Sequence, residues 1–192
     1  MNAKSHAKSK TDAPPTTTQV SQFTIAAPIQ QVWDTLTQEG EVLPFFFGSV
    51  MHTTTLGPGA PIRMRTPNGK YTGVVGDVLE FEPPHKYSMT FKFTNFDDAV
   101  CKVTHELREI DGGTEFTLTS EAIPVGTKTE KNMKQGGEII TKTLKACVET
   151  GKPTVMARFI MLMGKLFAFM TPKQSLSDNW PMDRKTPIGG DF

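Results

Sequence analysis

Histidine, cysteine and carboxylate side chains are the groups in this sequence with potential for catalysis. His105 is the one histidine at an inward position of a predicted strand, where it could act as a general base. We interpret it as a hydrogen-bonded wall residue, the commoner role at such a position. Asp77 and Glu80 are three residues apart on another predicted strand, so they face opposite sides and do not form a carboxylate pair. The sequence therefore predicts no catalytic residue.

The two cysteines, Cys101 and Cys147, occupy inward positions on a predicted strand and a predicted helix. This placement predicts buried free thiols. The sequence contains no CxxC motif, so we expect neither a metal nor an organic cofactor. Free thiols favour a reducing, cytoplasmic compartment.

Composition is that of a globular protein with a single domain and tails. The chain has 192 residues, of which 37% are hydrophobic and 21% charged, and its net charge is +1. We expect no nucleic-acid partner, because nucleic-acid binding usually requires a clustered basic face. Residues 1–19 lack an apolar run and carry three lysines and one acid, so we predict a disordered polar tail rather than a secretory signal.

The elements after this tail begin with alternating extended and helical patterns. Residues 20–26 are a predicted strand, followed by the apolar spacing of one amphipathic helix that Gly40 ends. Residues 41–48 (EVLPFFFG) form either a short second helix or an irregular apolar loop. Two further strands are predicted at residues 50–55 and 60–66.

The longest predicted strands follow. A strand at residues 71–81 ends at Pro83-Pro84, and residues 87–93 then alternate aromatic and polar side chains at period two. Residues 101–123 form a predicted hairpin that turns at residues 111–113.

A long helix is predicted at residues 129–150, where apolar residues recur at helical spacing. Gly136-Gly137 lies in the middle of the apolar stripe, at a cost of about 1 kcal/mol each relative to alanine. This cost indicates the close approach of a sheet, a loop or a ligand.

These elements together predict an α+β fold, in which a curved antiparallel sheet wraps around the long C-terminal helix. We expect an apolar cavity between sheet and helix, with Arg63 or Tyr71 as a polar anchor. The predicted ligand-cavity residues are Phe45, Phe46, Phe47, Met64, Tyr71, Phe81, Tyr87, Met89, Phe91, Phe93, His105, Met133, Gly137, Ile140 and Leu144.

Three segments resemble the START-like (SRPBCC) superfamily, whose members have the helix-grip fold. They are IAAPIQQVWDTLTQ (residues 25–38), GDVLEFEPPHKYSMTF (residues 76–91), and VTHEL with GGTEFTLT in the last hairpin. The match is closest to the branch named for activators of the 90-kDa heat-shock protein ATPase. The resemblance divides the chain into a tail (residues 1–19), a START-like domain (residues 20–151) and a C-terminal extension (residues 152–192).

The resemblance implies several possible functions, because this superfamily includes lipid carriers, cyclases, hydrolases and co-chaperones. Eukaryotic co-chaperones of the branch carry an N-terminal chaperone-binding domain where this sequence has a polar tail, so we do not expect chaperone activation. The leading hypothesis is a binding or carrier module for a hydrophobic small molecule or lipid. A cyclase- or hydrolase-type enzyme and a chaperone-linked or other protein-interaction module are the alternatives.

The extension contains an unusually apolar segment, residues 153–170, which is predicted to be a helix with Arg158 and Lys165 as its charges. It is too short for a confident membrane span. It could pack on its own domain as a lid over the cavity, mediate a homodimer, or lie in a membrane interface. We predict that its apolar face is covered within the protein or by a second copy.

Overall fold

Eight antiparallel strands form one curled sheet in the computed structural model, which describes residues 14–186. The strand order across the sheet is β1-β8-β7-β6-β5-β4-β3-β2. The predicted α+β helix-grip architecture is confirmed. In chain order the strands are Thr16–Ile25 (β1), Val42–Leu43 (β2), Ser49–His52 (β3), Pro61–Arg65 (β4), Thr72–Glu82 (β5), Lys86–Phe93 (β6), Cys101–Ile110 (β7) and Gly113–Pro124 (β8).

The first strand begins at Thr16 rather than at residue 20, so the predicted polar tail is too long at its C-terminal end. Thr16 and Thr17 pair with Pro124 and Ile123 at the end of β8. Threonine is β-branched and favours extended backbone, which explains why this polar stretch joins the sheet. The rest of the predicted tail, residues 1–13, lies outside the described residues.

Three α-helices accompany the sheet in the described part of the chain. The first, α1 (Ile29–Leu36), buries the predicted apolar stripe. The long helix α2 (Lys128–Thr150) crosses the concave face of the sheet, and Thr127 caps it by accepting a hydrogen bond from the backbone N–H of Glu130. Leu144 and Val148 in its C-terminal half are buried, whereas its N-terminal half is only partly covered. Space therefore remains between the first half of α2 and the sheet.

Residues 41–48 form neither of the predicted structures in full. They contain the short strand β2 and a 3₁₀ turn, Pro44–Phe46, followed by Phe47 in the left-handed region at φ 57°. Because the backbone turns here, the side chains of Phe45, Phe46 and Phe47 point in different directions.

The apolar C-terminal helix is shorter than predicted. Helix α3 (Val155–Leu166) is followed by a separate 3₁₀ turn, Ala168–Met170. Ala157 is buried against the domain, but most of the large apolar side chains of α3 are exposed, so the expected coverage within the protein is wrong, and coverage by a second copy stays a prediction. Within residues 14–186, no helix is both long and apolar enough to cross a membrane.

The segment after α3, residues 173–186, lies against the convex face of the sheet. Arg63 points to this face, since its neighbours Ile62 and Met64 point to the concave one. Its buried guanidinium donates hydrogen bonds to the carbonyls of Gly76, Pro181 and Arg184. Arg63 therefore anchors the C-terminal segment instead of lining the cavity.

Candidate functional site

A largely apolar pocket of about 370 Å³ lies between the concave face of the sheet and the N-terminal half of α2. Its volume falls within the range of about 300–1,000 Å³ that is typical of small-molecule sites. The sheet supplies the floor, α2 one wall, and the turn after β2 another. Predicted residues that line it are Phe46, Phe47, Met64, Tyr87, Met89, Phe91, Phe93, His105, Met133, Gly137 and Ile140.

Four of the predicted cavity residues lie elsewhere. Phe45 and Leu144 are fully buried in the core beside the pocket. Phe81 packs against Trp33 of α1, with ring centroids 5.3 Å apart. Tyr71 pairs with Leu176 of the C-terminal segment. These positions are decided by tertiary packing that strand periodicity alone does not reveal.

The remaining lining residues were not predicted. Those on the strands share the inward alternation of their predicted neighbours, a signal that could have identified them. Asn132 and Gln135 are exposed at the pocket rim and carry no such signal. The unpredicted residues are Ser49, Met51, Ile62, Val74, Val103, Leu118, Ser120, Asn132, Gln135, Gly136 and Ile139.

His105 lies at the inner end of the pocket and is only 2% exposed. Its ring stacks on that of Tyr87, with centroids 5.3 Å apart and planes at 9°. Its Nδ1 lies 3.3 Å from the backbone oxygen of Tyr87. Burial lowers the pKa of His105 to about 4, although this hydrogen bond raises it slightly. The imidazole is therefore neutral at physiological pH.

No aspartate, glutamate, lysine or arginine lines the pocket within the described part of the chain. The Tyr87 hydroxyl donates to the sulfur of Met89 at 3.1 Å, and burial raises its pKa, so it stays protonated. A charged group entering the pocket would lose its water without gaining a counter-ion, which costs several kcal/mol. The electrostatics of the site therefore favour neutral molecules.

Cys101 and Cys147 are free thiols, but only Cys101 is buried, so the prediction of a buried thiol is wrong for the half-buried Cys147. Cys101 lies beside the pocket, with its sulfur 3.4 Å from that of Met133. Burial raises the pKa of Cys101 to about 12, so it is not a thiolate nucleophile at neutral pH. Among residues 14–186, histidine, cysteine, aspartate and glutamate form no group of three that could hold a metal ion.

A second, more polar cavity of about 410 Å³ lies on the other side of α2, against β1. It shares Leu118, Ser120, Met133 and Gly137 with the apolar pocket. A Cβ at Gly137 would have Ser21 Oγ at 4.0 Å as its nearest neighbour, so this glycine leaves open space where the two cavities adjoin. The polar side chains of the second cavity are Thr17, Gln19, Ser21, Ser120, Glu130, Lys134 and Glu138.

Residues 26–149 match the family model described as Activator of Hsp90 ATPase homolog 1-like protein. None of the curated proteins is significantly similar to this chain in sequence.

Several solved structures share the fold at low sequence identity. An HSP90 activator from Plasmodium falciparum is 19% identical, with a TM-score of 0.53, covering 62% of this chain and 86% of its own. The Aha1 dimer from Colwellia psychrerythraea is 14% identical, with a TM-score of 0.58 and coverages of 71% and 98%. A protein of the dynemicin biosynthetic locus is 23% identical, with a TM-score of 0.56 and coverages of 71% and 48%.

Proposed function

This chain belongs to the family of Activator of Hsp90 ATPase homolog 1-like proteins, and we propose that it serves as a binding or carrier module for a hydrophobic small molecule or lipid. The ligand would occupy the pocket between the sheet and α2. The free thiols of Cys101 and Cys147 favour a reducing, cytoplasmic setting for this role.

The observation that carries this proposal is an uncharged, mainly apolar pocket inside the domain. Transfer of an apolar ligand from water into such a site stabilises the complex by about 25 cal/mol for each Å² of apolar surface buried. The exposed Asn132 and Gln135 give the rim a polar edge, whereas the walls are built from phenylalanine, methionine and aliphatic residues.

A reaction in this pocket is less well supported than binding. His105 and Tyr87 are the titratable side chains that line it, and Nδ1 of His105 is engaged by a backbone carbonyl rather than by a carboxylate. A general base normally has a partner that orients it and a nearby nucleophile. The hydroxyls of Ser49 and Ser120 line the pocket, but among the described residues neither is hydrogen-bonded to His105, and Cys101 beside the pocket is held as a protonated thiol.

The proposal is tested with an apolar fluorescent probe and the variant Gly137→Phe, whose ring would fill the open space between α2 and β1. We expect the folded variant to lose probe binding. Gly57→Phe is the control, because a Cβ there meets no atom within 4 Å and the residue does not line the pocket. Native mass spectrometry of the purified protein should also detect a copurified apolar molecule. Equal probe affinity in the two folded variants would contradict the proposal.

A further inference from the structure

The two ring nitrogens of His105 differ in their hydrogen bonding. Nδ1 contacts the backbone oxygen of Tyr87, whereas Nε2 is available to a ligand. A backbone carbonyl can only accept a hydrogen bond, so Nδ1 carries the proton in its contact with Tyr87. In the neutral ring, Nε2 then has a lone pair and can only accept. Among the described residues, no hydrogen-bond partner is found for Nε2, and the ring is a wall of the pocket.

This arrangement defines the polar chemistry of the pocket's inner end. Nε2 is not among the fully buried polar atoms that lack a partner, so it faces the space of the pocket, where a ligand donor would satisfy it better than an apolar group. Tyr87 does not supply that donor, since its hydroxyl donates to Met89. The remaining neighbours of the imidazole include the rings of Phe46 and Phe116, which have no hydrogen-bonding group.

We propose that the pocket selects neutral hydrophobic molecules that carry one hydroxyl or N–H donor at their inner end, with His105 Nε2 as the acceptor. This inference rests on the binding function proposed above. A carboxylate is disfavoured, because its oxygens would face the lone pair of Nε2 and no cation among residues 14–186 lines the pocket. An ammonium group is disfavoured because no carboxylate of these same residues lines the pocket to balance its charge.

A set of matched probes tests the inference, namely naphthalene, 2-naphthol, 2-methoxynaphthalene and 2-naphthoate, each displacing the fluorescent probe. We expect 2-naphthol to bind about 3- to 10-fold more tightly than 2-methoxynaphthalene, the usual effect of one buried hydrogen bond. We expect 2-naphthoate to bind most weakly. His105→Phe should bring the ratio of the 2-methoxynaphthalene and 2-naphthol dissociation constants to about 1, and this ratio is the readout rather than the affinity for naphthalene.

The outcomes separate this inference from the underlying function. Failure of all four probes to bind would contradict the binding function itself. Binding without a preference for 2-naphthol, or a preference that survives His105→Phe, would overturn only the role of His105. Should that variant not fold, ¹⁵N NMR of the unmodified protein decides, since 2-naphthol but not naphthalene should shift an unprotonated Nε2 resonance.

A second and independent observation concerns the outward face of α3. Val155, Phe159, Leu162 and Leu166 lie at spacings of four, three and four residues, so they form one line along the helix. Their side chains are 54–81% exposed. On the opposite side, Met161 contacts Gly48, which adjoins Phe47 at the pocket wall. The apolar line therefore faces away from the domain, beside one wall of the pocket.

The charges around this apolar line are all of one sign. Between residues 151 and 177 the charged residues are Lys152, Arg158, Lys165 and Lys173, with no acid. Arg158 and Lys165 are exposed and seven residues apart, so they share one edge of the apolar line. In a symmetric dimer through this face, these cations would meet no acidic partner from residues 151–177. A surface of anionic lipid offers both an apolar interior and negative charge.

We infer that α3 docks on an anionic membrane surface, with its apolar line in the headgroup boundary and with Arg158 and Lys165 among the phosphates. Long basic side chains can reach the headgroups while their stems remain in apolar surroundings. Since α3 packs beside the pocket wall, docking would bring the pocket close to the lipid.

Cosedimentation with vesicles of phosphatidylcholine, with and without phosphatidylserine, tests this docking. We expect binding that requires phosphatidylserine and that falls at least about 10-fold in the double variant Phe159→Ser/Leu162→Ser. Arg158→Gln/Lys165→Gln should weaken binding and reduce its salt dependence. Val20→Ser removes another exposed apolar side chain, at β1, and should have no effect.

Two results would overturn membrane docking. One is equal sedimentation of the full-length protein and the Phe159→Ser/Leu162→Ser variant with anionic vesicles. The other is a dimer in analytical ultracentrifugation that this variant abolishes, which would assign the apolar line to a second copy of the chain.

Discussion

The ring of Phe47 lies against the backbone of Gly136, where a Cβ would be 3.5 Å from the Phe47 Cζ atom. The partly exposed Phe47 belongs to the turn that follows β2, and Gly136 to the N-terminal half of α2, so this contact brings two walls of the pocket together. The contact distance is that of ordinary van der Waals packing, which leaves room for a methyl group but not for a large side chain.

We therefore expect Gly136→Ala to be tolerated. Alanine favours the helix by about 1 kcal/mol relative to glycine, so urea unfolding should show a gain of up to about that size. Gly137→Ala, with its nearest neighbour at 4.0 Å, is the matched control and should behave alike. Gly136→Phe should displace the Phe47 ring and lower the affinity for an apolar probe. A destabilised Gly136→Ala protein would contradict this geometry, because it would mean that Phe47 lies too close to Gly136 for a methyl group to fit.

The buried imidazole of His105 should make stability depend on pH. Its folded pKa of about 4 is below the unfolded value of about 6.5. The unfolded state therefore binds the proton first, and stability is full above about pH 6.5 and decreases as pH falls toward 4. Between pH 7 and pH 5 the loss should be about 2 kcal/mol.

His105→Gln is the variant that isolates this effect in urea unfolding at the two pH values. The pKa of His52 is also lowered, by burial and by Arg65, so the unmodified protein will show both contributions. The difference between the two proteins reports His105 alone. An identical pH dependence in both would mean that the imidazole is not buried in its neutral form.

Arg63 should be essential for the C-terminal segment. Its guanidinium is 1% exposed and donates to carbonyl groups of both the sheet and residues 181–184. Arg63→Met would leave these buried acceptors without donors, at a cost of about 2–4 kcal/mol. Limited proteolysis should then cleave within residues 173–186 faster than in the unmodified protein. Arg108→Met, which removes an exposed ion pair with Glu115, should change stability by less than about 1 kcal/mol.

Substitution by alanine should destabilise the protein at one glycine of β5 and have little effect at another. A Cβ on Gly76 would overlap the carbonyl oxygen of Thr90 in the neighbouring strand, whereas one on Gly73 meets its nearest atom at 3.9 Å. Neither residue has a positive φ, so steric overlap alone separates them. We expect Gly76→Ala to destabilise the protein by about 2–4 kcal/mol and Gly73→Ala to change stability by less than about 1 kcal/mol. Thermal unfolding of both variants gives the comparison, and similar melting temperatures would refute it.

Periodicity was enough to identify the sheet's concave face. Tyr87, Met89 and Phe91 line the pocket because alternate residues of a strand share one face, and this pattern is visible in the sequence. The boundaries of α2 were predicted to within one residue, since its apolar stripe and Gly151 mark them.

Other positions depend on contacts between distant segments. Phe45, Phe46 and Phe47 are chemically alike, yet one is in the core, one in the pocket wall and one at its partly exposed edge. The left-handed backbone at Phe47 decides this, and no sequence signal marks it. Arg63 and Tyr71 were candidate anchors for a ligand but contact the C-terminal segment, whose docking site is not encoded by any local pattern.

The position of residues 173–186 also makes the two faces of the sheet different from each other. These residues cover the convex face of the sheet, while the pocket lies on the concave side. A linker attached at the exposed Lys185 would hold the protein on a support by the convex side of the sheet and leave the pocket open to solution. Immobilisation through this site therefore suits ligand capture, because the attachment and the pocket are on opposite sides of the same sheet.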